Sequence, residues 1–484
     1  MSESFGSQVF KGVIWSAIER FSVQGIQFVL SIVIARLVLP SEYGLIAMLN
    51  IFLAIAQNFI EGGFSNALIQ KKNRTEIDFS TVFYFNIVIS IVLYLLLYIS
   101  APYIASFYNE PELSLVTKWI GLNLIISGFS TIQLVKLMIN IDFKTQAKVS
   151  FIAVLLSGSI GILLAYKGLG VWALVFQSLS NNLLTALFLW LFVKWSPGYV
   201  FSWESFRTLF FFGSKILLSG LLNTIYINMY SLVLGKRYSA MDVGFYNRSF
   251  QFAYFPSTSI TGIMTRVFFP LQCEMQDDDE RLKSFFIQYL RMLCYIIFPL
   301  MIGLAVLSKP LILLLLTDKW LPSADILSIL CFAYMWYPVM IINSQILKVK
   351  GRSDYYLRAE VIKKMIAIII LLITLHLGIK TLCWGIVLYN FFDMAISIYY
   401  TKKVFCAGYV EQICNIIPLF LLSLLTGSIT YASMYFVYES LLCQFFIGCF
   451  VALTMYVLLS FIFRLREIIN LFSYVKNAAH YVRK

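Results

Sequence analysis

The residues of this sequence best able to do chemistry are charged side chains set inside long apolar runs. Arg20 follows Glu19 midway along the first run, and Arg20, Gln24 and Gln27 recur at i, i+4 and i+7, so they share one helix face. Lys136 lies deep in the fourth run with Gln133 a turn before it; Lys215 lies in the seventh, Arg248 and Arg266 in the eighth, and Arg291 in the ninth. Embedded acids are fewer, namely Glu19, Glu61 and Asp393. A charge at the centre of a bilayer costs on the order of 3 kcal/mol or more, so each needs a reason to persist. An excess of embedded cations suits an anion. Arginine offers planar paired donors that fit phosphate, and lysine acts as a point charge. The expected binding set for an anionic group is therefore Arg20, Gln24, Lys136, Lys215, Arg248 and Arg266. Glu61 and Asp393 are the expected ion-coupling carboxyls, able to exchange a proton as their exposure alternates. A plainer role stands beside each. Lys215, Arg266, Arg291 and the pair Lys363-Lys364 reach the inner ends of their runs, where long side chains extend to the headgroups. Arg20 has Glu19 as a neighbour, Glu61 precedes Gly62-Gly63 at an expected helix end, and Asp393 has lysines to pair with.

The elements that hold these residues follow from composition. Of 484 residues, 60% are hydrophobic and 13% charged, where soluble domains run near 45–50% and about 25%; the mean hydropathy is +0.83. Only lipid can accommodate that much apolar surface. Fourteen apolar runs of spanning length are expected, at 12–35, 43–64, 79–107, 115–139, 149–166, 171–193, 206–234, 245–269, 285–307, 326–347, 357–377, 382–400, 413–438 and 441–463. The apolar stub Leu311–Leu316 reads as the end of a loop. Lys and Arg divide 21 to 8 between alternate sides of this layout, which puts both termini in the cytoplasm. A repeat of about 200 residues sets Ala35-Arg36 against Gly235-Lys236, Glu42-x-Gly44 against Asp242-x-Gly244, and Gly170-Val-Trp172 more weakly against Cys383-Trp384. Copies six spans apart enter from the same side, so the repeat is parallel. The expected fold is an all-α integral membrane protein with two six-helix lobes (1–200 and 201–403) around a central cavity, two further helices (404–463) and a basic tail (464–484). Much is excluded. There is no G-x-x-x-x-G-K-[ST] loop for nucleotide hydrolysis. Two histidines, and eight scattered cysteines without a C-x-x-C, argue against a metal or redox centre. No cofactor is expected, and the +13 balance reads as orientation signal and anionic-lipid contact rather than nucleic-acid binding.

Several motifs are similar to those of a known family. They are Gly12-Val-Ile-Trp15-Ser16; Ala35-Arg36-Leu37-x-x-Pro40-x-x-Tyr43-Gly44; Phe59-Ile-Glu61-Gly62-Gly63; Ile104-Ala-x-Phe107-Tyr108-x-x-Pro111; and Gly170-Val-Trp172-Ala173-Leu174-Val175. Together they resemble the Wzx-type polysaccharide flippases, the polysaccharide transport branch of the multidrug/oligosaccharidyl-lipid/polysaccharide (MOP) exporter superfamily. The resemblance implies fourteen helices around a cationic cavity and alternating access. It implies as substrate an undecaprenyl-diphosphate-linked oligosaccharide, moved from the inner to the outer leaflet of a bacterial cytoplasmic membrane for O-antigen, capsule or exopolysaccharide assembly. The partners would be that lipid-linked glycan, a counter-ion (H+ or Na+) and membrane lipids, with a monomer as the working unit and no bond-breaking step. The Pro40–Gly44 motif reads as a structural turn, whose second copy has Ala240 opposite Pro40. Two alternatives remain: a cation-coupled drug exporter, which would favour embedded acids, and a membrane glycosyltransferase or polymerase on the same carrier, which would show large outer loops.

Overall fold

Lipid offers no partner to a backbone N–H or C=O, so apolar runs condense into helices that satisfy their own polar groups. In a computed structural model, residues 23–465 and 467 are described, apart from 72, 141, 406 and 437–439 and the side chains of 62, 212, 215, 219, 223, 226 and 267. All regular structure among the described residues is helical. Among the described residues ten helices are long and apolar enough to cross a membrane, or eleven if a bent helix counts as one span. The chain forms two compact units, Met1–Gly244 and Phe245–Lys484.

The first unit holds α1 (Val23–Leu37), then α2 (Pro40–Gln57), a π-helical turn (Asn58–Gly62), α3 (Phe64–Gln70) and α4 (Glu76–Tyr108). It continues with α5 (Glu112–Ile120), α6 (Leu122–Ile139), α7 (Phe143–Tyr166), α8 (Val171–Val193), α9 (Trp203–Arg237) and the start of α10 (Ala240–Glu274). Local sequence sets the ends. Pro40 opens α2, where its missing N–H costs nothing. Thr75 and Asp78 cap α4 reciprocally, and Asn109 closes it at φ 58°. Asp142 and Ser202 cap α7 and α9. α9 bends by 48° between Phe211 and Ile216, around Gly213. Before the bend, its Phe206 and Phe210 stack with Phe64 of α3, and Phe206 also with Phe85 of α4.

The second unit carries the rest of α10, then α11 (Asp279–Val306), α12 (Ser308–Leu316), α13 (Pro322–Tyr334), α14 (Tyr337–Val349), α15 (Ser353–Thr374), α16 (Ile379–Val404), α17 (Tyr409–Tyr435) and α18 (Leu441–Ile462). The stub Leu311–Leu316, expected as loop, is part of α12. Pro310 sits in its first turn, where a helix tolerates proline, and Pro310, Leu311, Ile312 and Leu316 are buried. α13 and α14 form the most enclosed span of this unit and α18 the least. α15 is not among these spans, because Arg358, Glu360, Lys363 and Lys364 crowd the first half of an otherwise apolar helix. The outer faces are apolar (Ile99, Leu163 and Leu453 are each more than 60% exposed), as lipid-facing surface requires.

Candidate functional site

Most of the motifs around Gly44, Gly170 and Gly244 gather at one end of the first unit and do mechanical work there. Glu42 reaches back to accept from the Leu39 N–H at 2.7 Å, and Asp242 accepts from the Ser239 hydroxyl at 2.8 Å, so each acid caps the start of its helix. Two residues on, each glycine lets the chains touch. A Cβ on Gly44 would lie 1.7 Å from the Ala240 carbonyl oxygen, and one on Gly244 would lie 2.0 Å from that of Pro40. Gly170, at φ 55°, stands against Glu42, where a Cβ would lie 1.8 Å from the carboxylate. Tyr108 donates to the Met48 carbonyl at 3.2 Å, and the Lys236 ammonium to that of Phe107 at 2.6 Å. At the other motif, Gly63 meets Gly213 at the bend of α9, 2.9 Å from an added Cβ to its carbonyl oxygen.

Between these ends runs a seam of polar side chains within the spans. Gln57 donates to Ser127 at 3.2 Å and to Glu61; Asn58 bonds Thr224. Asn182 donates to Asn123 at 2.7 Å, Asn123 to Ser178 at 3.0 Å, and Ser157 to Asn181 at 3.3 Å. Amides and hydroxyls of this kind tie helices together in lipid, and they match the hydrogen-bonding groups of a sugar. Sequence reasoning concentrated on charge and passed over them. The signal was present as Gln57, Asn58, Asn123 and Asn181-Asn182 interrupting apolar runs.

The charged residues expected from sequence fall into separate settings. Arg20 and Glu19 lie outside the described residues. Gln24 is half-buried on α1, and Lys215 falls in the bend of α9. Lys136, expected deep in its run, instead stands in the last turn of α6, where its ammonium pairs with Glu76 at 2.8 Å and lies over the rings of Phe79 and Trp195 at 4.4 and 4.8 Å. Trp195 donates to the same carboxylate at 2.7 Å. Glu61 is exposed on the π-helical turn.

In the second unit, Arg248 is buried on α10, donates to Gln251 at 3.3 Å, and lies near the rings of Phe252 and Trp320 at 5.8 and 5.9 Å. Arg266 is exposed on the same helix. Asp393 is not free: it takes the Lys363 ammonium at 2.8 Å, and Ser397 and Tyr389 donate to it at 3.1 and 3.3 Å. Lys363 is 3% exposed and also holds Glu360 at 3.1 Å and Ser344 at 3.4 Å, so it is an interior ion and does not extend to the headgroups. Arg291 likewise pairs with Glu467 and donates to Asn415 at 3.1 Å. A charge network on α15 and α16 thus joins Glu360, Lys363 and Asp393; the sequence had offered Asp393 a lysine partner as its plainer role, and that is the one found here.

Comparison with known proteins agrees with this architecture. The chain is 27% identical over 353 residues to the teichuronic acid biosynthesis protein TuaB of Bacillus subtilis, covering 72% of this chain and 73% of that one. It is 25% identical over 433 residues to the lipopolysaccharide biosynthesis protein WzxC of Escherichia coli, covering 89% and 88%. Among solved structures it shares the fold of the lipid II flippase MurJ in an inward closed conformation, with a TM-score of 0.76 at 15% identity over 94% of this chain and all of that one. Residues 33–326 match the family described as polysaccharide biosynthesis protein, and with that span covering more than half of its length, the chain belongs to this family of membrane proteins.

Proposed function

We propose that the chain is a lipid-linked oligosaccharide flippase. It carries undecaprenyl-diphosphate-linked repeat units from the inner to the outer leaflet of a bacterial cytoplasmic membrane by alternating access, for O-antigen, capsule or exopolysaccharide assembly. The observation that carries this reading is the family match over residues 33–326 on a chain of membrane-length helices. The polar seam from Gln57 to Asn182 supports it, because hydroxyls and amides inside spans offer a glycan the partners that lipid withholds.

In this proposal fourteen helices form two lobes (1–200 and 201–403) related by the parallel repeat, with 404–463 as an added pair and both termini cytoplasmic. Arg20, Gln24, Lys136, Lys215, Arg248 and Arg266 contribute to holding the diphosphate. Lys136 reaches it by exchanging Glu76 for phosphate, an exchange eased by the exposure of that glutamate, 70% at its side chain. The prenyl tail stays in lipid, which avoids the transfer cost of a long hydrocarbon. Counter-ion return, as H+ or Na+, runs through Glu61 and Asp393, with Lys363 as the charge that Asp393 releases or recovers. The monomer suffices.

The test is carrier-linked glycan in cells deleted for the gene. Build-up on the inner leaflet, relieved by the wild-type chain and not by well-expressed Arg20→Ala, is the expected result. Relief by both removes Arg20 from the site. No build-up, with sensitivity to cationic drugs instead, overturns the proposal in favour of a drug exporter.

A further inference from the structure

The second unit contains a cavity of about 750 Å³ that none of the transport residues line. It opens where α11 and α17 begin and α18 has just ended, with Phe268 of α10 on one wall. These ends lie together at one level of the helices, the level that the Lys/Arg bias assigns to the cytoplasmic interface. The volume is within the roughly 300–1,000 Å³ typical of small-molecule sites.

The charges on its wall are balanced, with Lys283, Arg291 and Arg464 against Glu280, Glu411 and Glu467. Two pairs close on themselves, Lys283 with Glu411 at 2.9 Å and Arg291 with Glu467. What remains is specific. Among the described residues Arg464 and Glu280 have no partner, and Glu467, 7% exposed, keeps its second carboxylate oxygen buried without a hydrogen bond. The unused capacity is therefore one guanidinium fork together with carboxylate oxygens that lack a donor. That set fits a ligand bearing one phosphate and one primary ammonium. A guanidinium matches phosphate with paired donors, and a carboxylate oxygen deep in a wall calls for an N–H rather than a bare positive charge. Phe268 and Phe285, with ring centroids 5.3 Å apart, give the wall an apolar side.

We infer that this cavity binds the headgroup of an aminophospholipid of the phosphatidylethanolamine type, with the phosphate on Arg464 and the ammonium toward Glu280 and the free oxygen of Glu467. Its place at the ends of membrane-length helices puts it at headgroup depth, which favours a diacyl lipid over a soluble zwitterion. A quaternary choline headgroup has no N–H to give, and a phosphatidylglycerol headgroup has no cation. The site distinguishes the three by hydrogen-bonding chemistry. It stands apart from the flippase proposal and neither supports nor requires it.

The experiment is native mass spectrometry of the full chain released from micelles doped with equal amounts of phosphatidylethanolamine, phosphatidylcholine and phosphatidylglycerol. The expected result is retention of the ethanolamine lipid at about five-fold or more over either competitor. Arg464→Ala and Glu280→Gln should each abolish that preference, and Arg464→Lys should restore only part of it, because an ammonium lacks the paired donors. Both positions are exposed, so an unchanged elution profile and melting temperature will certify the variants as folded. Equal retention of all three lipids overturns the inference, as does an ethanolamine preference that survives both substitutions. Preference for phosphatidylglycerol would mean the site reads phosphate alone and would also overturn it. Glycerophosphoethanolamine supplies the soluble arm: failure to displace the lipid at millimolar concentration supports the lipid assignment, and displacement at micromolar concentration refutes it.

Discussion

Removing the Lys363 ammonium gives the sharpest test of how the second unit is held. Lys363 is 3% exposed and Asp393 15%, with 2.8 Å between the charged atoms, and Glu360 is the second carboxylate on the same ammonium at 3.1 Å. Lys363→Met keeps the volume and strands Asp393 with only the Tyr389 and Ser397 hydroxyls as hydrogen-bond donors. Breaking a buried pair from one side costs about 3–5 kcal/mol, because the remaining charge stays desolvated. Lys364, 3.8 Å from Glu360 on the more exposed side of α15, can turn part of its charge toward the gap, which favours the lower end of that range. For a unit of this size about 3 kcal/mol corresponds to a fall of roughly 6–12 °C in the melting temperature. Thermal unfolding of the purified chain in detergent measures it. The double variant Lys363→Met/Asp393→Asn should recover more than half of the loss, because it removes the stranded charge with its partner. A loss below about 1 kcal/mol for the single variant would refute the argument. So would a double variant that loses the sum of the two singles, since that is the mark of independent sites.

Other outcomes follow from single contacts. Gly44→Ala should destabilise the first unit by at least about 1–3 kcal/mol, because its Cβ would fall 1.7 Å from a backbone oxygen that cannot swing away. Gly25→Ala on α1, with nothing within 4 Å, should be neutral or stabilising by roughly 0.5–1 kcal/mol, and comparing the two melting curves tests the crossing itself. If Lys136 serves by exchanging Glu76 for phosphate, Glu76→Gln should leave glycan export near the wild-type level while Lys136→Gln abolishes it; equal loss in both would make the pair structural only. Asp354 sits in the first turn of α15, and its hydrogen bonds from the Arg352 guanidinium at 2.8–2.9 Å hold its carboxyl down at about 2. A lowered value means its contribution is complete above the ordinary carboxylate range and disappears only as pH falls through 2. The melting-temperature difference between Asp354→Asn and the parent should therefore be the same at pH 5 and pH 8.

The sequence made the spans legible because lipid demands a simple code. An apolar run of sufficient length is a helix wherever it occurs, but the runs at 79–107 and 149–166 stop short of the true ends, which the polar caps Thr75, Asn109 and Asp142 set. The code failed where length was the only guide. Leu311–Leu316 is too short to span and reads as loop, yet burial of one face makes it helical. For candidate site residues, charge was visible and partnership was not. Nothing in the chain's order says that Lys136 meets Glu76, sixty positions earlier, or that Lys363 meets Asp393, because those meetings depend on helix rotation and crossing. The polar seam was hidden for a different reason. Gln57, Asn58, Asn123 and Asn181-Asn182 interrupt their runs visibly, but without formal charge they carry little weight beside lysine and arginine until their partners are known.

The crossing of Gly44 with Ala240 and of Gly244 with Pro40 also limits how this end of the first unit can move. Each glycine is closed off by a carbonyl oxygen of the opposite helix start, so a slide of one start along the other drives an oxygen into the facing backbone. The contact is reciprocal, and a shift that relieves one side tightens the other. Any rearrangement that reaches this place must therefore carry the starts of α2 and α10 together, as one hinge plate and not as two sliding rods.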